Sequence, residues 1–114
     1  MVSKQISDSI KEAKEALDQV ETIGRTAYDL CDGILNNIKG FVHDDIVWKK
    51  INDHEERVHR DFKKRTEIAR VKLKDLDPLY AWNDGMKFFM ELRHWKSLEM
   101  LNFWDKLSKE HGEL

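Results

Sequence analysis

The fold turns on residues 6–41, ISDSIKEAKEALDQVETIGRTAYDLCDGILNNIKGF. Ile6, Ile10, Ala13, Leu17, Val20, Gly24, Ala27, Cys31, Ile34, Ile38 and Phe41 follow one another in alternating steps of four and three, an unbroken heptad seam. Such a seam predicts one helix from about Ser3 to Lys39, about 55 Å long at 1.5 Å per residue. Ser9 with Glu12 reads as a capping box near its start. Lys39 and Gly40 read as a glycine C-cap, with apolar Phe41 folding back on Leu35. The middle of the seam is small, with Gly24, Ala27 and Cys31 in a row and Ala13 and Ala16 further up the same side. Small residues leave room for a neighbour's large side chains. Gly24 and Gly33 each cost about 1 kcal/mol against Ala inside a helix.

Working outward, Asp44 and Asp45 stand where an N-cap and a first-turn anion belong, so a second helix is expected over 45–76. Its apolar positions form a narrow stripe that thins between Asn52 and Thr66, so it should be half exposed. Asp77 before Pro78 ends it and caps a third region, 78–111, with a break at Asn83-Asp84-Gly85, near 83–85. Seven of the eleven aromatic residues fall between Tyr80 and Trp104. A helix apolar around more than half its girth needs neighbours on more than one side. One proline and five glycines in 114 residues, with 37% charged residues, agree with a chain that is nearly all helix.

These elements predict a single all-α domain, 1–114. A long antiparallel hairpin of helices 3–39 and 45–76 carries a third, aromatic-rich helix, elongated and coiled-coil-like. The aromatic rings are expected against the Gly24, Ala27, Cys31 track. In length and helix count alone this outline resembles a spectrin-like three-helix bundle. A thin core and the uninterrupted seam make a homodimer the expected assembly.

Charge is unevenly spread. Met1 to Asp45 holds five basic and nine acidic residues, whereas Arg57 to Lys74 holds eight basic and two acidic. The favoured expectation is that Glu12, Glu15, Asp18, Glu21 and Asp29 face the basic helix across the hairpin. The alternative is that Arg57, Arg60, Lys63, Lys64, Arg65 and Arg70 contact nucleic-acid phosphates. One cysteine, no signal-like start and no long apolar window place the chain in a reducing cytoplasm, with no membrane partner expected.

The stretch HEERVH, residues 54–59, approaches a helical zinc-protease motif. Its two histidines are five apart, however, and so diverge by roughly 140° around a helix. A second metal pattern is Glu56 with His59 and Glu91 with His94, two Glu-x-x-His pairs of the kind that di-iron bundles use, with Glu15 or Glu21 as a bridging carboxylate. Cys31 lies on the apolar seam rather than in an activating site. No glycine elbow or phosphate-cradling loop is present. The residues therefore point to a protein without enzymatic activity or cofactor. The expected function is a helical interaction module, an adaptor, inhibitor or assembly factor, that contacts a protein partner through Trp82, Phe88, Trp95 and Trp104, with Trp48 in a lesser role.

Overall fold

The structure is a computed structural model. It describes residues 2–111, with side chains described for all of these except 2, 3, 80, 81 and 111. Among the described residues every regular element is helical. In chain order they are α1 (Val2–Leu17), the single turn α2 (Val20–Ile23), α3 (Arg25–Ile38), a 3₁₀ turn (Lys39–Phe41), α4 (Asp45–Lys74) and α5 (Pro78–His111). The all-α class is as expected.

The continuous first helix is not. At Gly24 the backbone takes φ 62° and ψ −135°, a conformation that a glycine adopts without the Cβ penalty other residues would meet. The chain reverses across residues 18–24, with α1 ending at Leu17, α2 making one turn and Gly24 leading into α3. α1 packs along α3, and it also touches the 3₁₀ turn at the far end of α3, so the two helices form an antiparallel hairpin. The seam survives as the inner face of this hairpin, with Ile6, Ile10, Ala13 and Leu17 of α1 and Ala27, Cys31 and Ile38 of α3 all buried. Small residues on both partners let the backbones approach, and these two helices share the most extensive contact in the molecule. The expected three-helix arrangement is thereby replaced.

α5 packs on α1, α3 and α4. It runs antiparallel to α4, with His54 stacked on Phe103 and Arg65 over Trp95. It runs parallel to α3, where Arg93 donates hydrogen bonds to Asp29 (2.6 Å) and Asp32 (2.7 Å), and the Ser97 hydroxyl donates to Asp32 (2.8 Å). Trp104 is fully buried at the centre, in one cluster with Ile6, Ile38, Val47, Ile51 and Leu107. The aromatic rings do not nest on Gly24, because nothing lies within 4 Å of where its Cβ would be.

The helix ends follow local chemistry with some corrections. Asp44 caps α4, accepting from the backbone N–H of Ile46 at 2.8 Å and of Val47 at 3.4 Å. The Asp77 carboxylate accepts from Leu79 N–H at 3.0 Å, with Pro78 as the first residue of α5. Ser9 and Glu12 form no capping box, since α1 is already under way at Val2. Gly40 is not a left-handed cap either: the chain tightens into a 3₁₀ turn, and Phe41 stays exposed instead of folding back. The break near 83–85 is absent, and α5 runs straight through it. Gly85 is buried there, with a methyl of Leu73 3.6 Å from its would-be Cβ. It serves as the close-approach point of α4 and α5 rather than as a breaker.

Reversal at Gly24 shortens the first layer. α1 and α3 have 16 and 14 residues, against 30 and 34 in α4 and α5. That is roughly 21–24 Å against 45–51 Å. The molecule is elongated, 54 × 30 × 18 Å, and the α4–α5 pair projects beyond the four-helix half as a two-helix arm.

Two glycines separate by substitution. Gly33 is exposed in mid-helix with nothing near its would-be Cβ, so Gly33→Ala stabilises by about 1 kcal/mol. Gly24→Ala, at positive φ, destabilises by about 1–3 kcal/mol. Urea denaturation followed by circular dichroism measures both, and equal effects at the two sites would contradict the reversal.

Candidate docking surface

The arm carries the largest exposed apolar side chains. Leu79, Trp82, Met86 and Phe89 are 68%, 69%, 43% and 51% exposed. They are spaced three, four and three residues apart along α5, so they share one face. Arg93 is next in that line and reaches across to α3. With Tyr28 beside His94 and Asp32 beside Ser97, the start of α3 at Arg25 falls level with about Met90. The stripe is therefore the continuation of the face that α3 covers, bare because α3 ends. Ile68, Val71 and Leu76 add exposed apolar surface on and beyond α4.

The aromatic residues expected on a partner surface part company here. Trp82 is on the stripe. Phe88 is half-buried, and Trp95 is half-buried beneath the Arg65 guanidinium, 4.3 Å from the ring centre. Trp48 is half-buried, and its indole N–H donates to the Val42 carbonyl at 2.8 Å, closing the loop into α4. Trp104 is fully enclosed, with its indole nitrogen unpartnered, and is a core residue instead of a contact. Leu79, Met86 and Phe89 complete the surface without having been singled out. Their 3-4-3 spacing with Trp82 was the available signal.

The acidic first segment does not cover the basic helix. Asp29 pairs with Arg93 of α5, while Glu12, Glu15, Asp18 and Glu21 stand exposed. On α4, Arg57, Arg60, Lys63, Lys64, Arg65 and Arg70 are all exposed. Arg60 lies 3.9 Å from Glu56, one helical turn earlier, and Lys39 pairs instead with Glu55.

The metal pairs do not converge. Taking the register from His54 and Phe103, the Glu56–His59 pair lies roughly seven residues, or about 10 Å, along the hairpin from Glu91–His94. Bridged di-metal centres hold their ions about 4 Å apart. Glu56, His59, Glu91 and His94 are exposed, as are Glu15 and Glu21. Among the described residues no group of three or more His, Cys, Asp and Glu could hold a metal ion. His54 and His59 diverge as the spacing requires, His54 being buried and His59 exposed.

Two buried groups show how the core treats titration. Burial, with the Asp32 charge adding to it, pushes the Cys31 thiol up to about 12, so it stays protonated. His54 is held below its ordinary value first by burial and then by the Arg57 cation; Glu99 and Glu55 oppose the shift. Its Nδ1 accepts from Arg57 at 3.1 Å, leaving the proton on Nε2.

No helix among the described residues is long and apolar enough to cross a membrane. Comparison with known protein families, curated proteins and solved structures finds no match to this chain.

Because the folded pKa of His54 lies below the unfolded value of about 6.5, the unfolded chain binds the extra proton first. Its contribution to stability is complete above that value and is lost as pH falls below it toward the folded pKa. The melting temperature therefore drops between pH 7.5 and 5.5, and His54→Leu flattens that part of the profile. An unchanged slope in the variant would remove His54 as the cause.

Proposed function

We propose that this chain is a non-enzymatic helical interaction module whose contact surface is the outer part of the α4–α5 arm. One observation carries it: an apolar stripe led by Trp82 lies bare on a helix whose other half uses the same face to make a core. Scattered apolar side chains on a surface call for no explanation, whereas a contiguous row of them marks an interaction site. Large aromatic and methionine side chains at its centre match the residue types concentrated in interface cores.

A photo-crosslinking residue at position 82 tests this in the cells that make the protein. Discrete adducts form from position 82 and not from position 12, on the exposed face of α1. Equal yields at the two positions, or none from 82, would sink the reading.

A second reading is nucleic-acid binding through α4, favoured by the failure of the acidic residues of α1 and α2 to cover its basic face. Affinity for a duplex would then fall steeply with salt, and Lys64→Glu would reduce both the affinity and the steepness. A gel shift showing no binding at low salt disposes of it.

A further inference from the structure

Resting on the interaction-module reading, we infer that the occupant of the stripe is a second copy of this chain, whose own arm packs across Leu79, Trp82, Met86 and Phe89 through a two-fold axis. Three observations select that occupant.

The first is area. From the exposures of these four residues, the stripe offers roughly 450 Å² of apolar surface, more than half of it from the two aromatic rings. One side of a standard stable interface buries about 800 Å², about 60% of it apolar. One stripe therefore supplies very nearly the apolar share that one side of such an interface needs, and two identical stripes supply both sides.

The second is charge. Residues 78–90 hold only Asp84 and Lys87 as charged groups. These cancel, and at 100° per residue both project away from the face that Leu79, Trp82, Met86 and Phe89 share. A neutral stripe meets its own copy without like-charge repulsion.

The third is continuity. Beyond about Met90 α5 buries Leu92, Leu101, Trp104 and Leu107 in the core. The face that α3 lines there is exposed before that point, at Leu79, Trp82, Met86 and Phe89. A second arm of the same length and spacing supplies a cover for it, turning each two-helix arm into one layer of a four-helix packing.

Sedimentation equilibrium at micromolar concentration tests the inference on the intact protein. Wild type sediments at twice the 13.6 kDa chain mass, while Trp82→Glu and Phe89→Glu each weaken the dimer roughly hundredfold. Both positions are exposed in the single chain, so helical circular dichroism stays unchanged and misfolding is excluded as the cause. Lys106→Ala, at the four-helix end, leaves the dimer intact. A wild-type chain at 13.6 kDa across the range, or a dimer indifferent to Trp82→Glu, overturns the inference. In the crosslinking experiment, an adduct at position 82 of chain plus chain supports it. An adduct with a different protein from a monomeric chain overturns it while leaving the interaction-module reading in place, and absence of any adduct removes both.

Discussion

The structure depends on the reversal at Gly24. At φ 62° and ψ −135° the backbone leaves the helical region, and a side chain there would meet the ordinary steric penalty of left-handed space. Everything else follows in order. Because the chain turns back, α1 lies beside α3 and not beyond it, and the first layer is half as long as the second. Four helices enclose Trp104 at one end, while two helices stand alone at the other. The exposed stripe is thus set by a turn, completed at Gly24, some sixty residues earlier in the chain.

What fixes the alignment of the short layer on the long one is polar. Arg93 donates to two carboxylates on successive turns of α3, and Asp32 is shared with the buried Ser97 hydroxyl. Apolar faces slide against each other at little cost, whereas a forked guanidinium between Asp29 and Asp32 holds at one register. Asp29 is largely exposed, so solvent screening limits the energy of that half of the cluster. Its effect is chiefly on position: it sets where α3 ends relative to α5, and so where the bare stripe begins.

Much of this was legible in the residues. The apolar seam, the Asp44 cap and the start of α5 at Asp77-Pro78 all reflect side chains acting within one turn of themselves. The reversal was not legible, because a heptad pattern records which face of a helix is apolar and is silent about where the covering partner comes from. Leu17, Val20, Gly24 and Ala27 keep the spacing of a straight rod across the turn. Two glycines show the same limit from opposite sides: Gly24 sits on a perfect seam and is a turn, while Gly85 sits in a turn-like Asn-Asp-Gly run and is helical. What decides Gly85 is Leu73, twelve residues away in sequence and in contact only once α4 and α5 have paired. The tryptophans divide for a similar reason. Trp82 and Trp104 occupy comparable patterns on one helix, and only the ends of the helices opposite determine which is enclosed.

The straight rod expected from the seam and the hairpin that forms make opposite use of the same residues. A helix over 3–39 would match α5 in length, and along the line of α3 it would run past Arg25 over Met86, Trp82 and Leu79. It would also carry Ile6, Ile10, Ala13 and Leu17 away from the half of α5 that holds Leu101, Trp104 and Leu107, opening the cluster that α1, α3, α4 and α5 close together. The hairpin instead closes Trp104 and its neighbours into the core, with Gly24 removing the steric obstacle to the turn. One segment cannot cover both halves of α5. A bare stripe on the arm is the complement of a closed core at the other end.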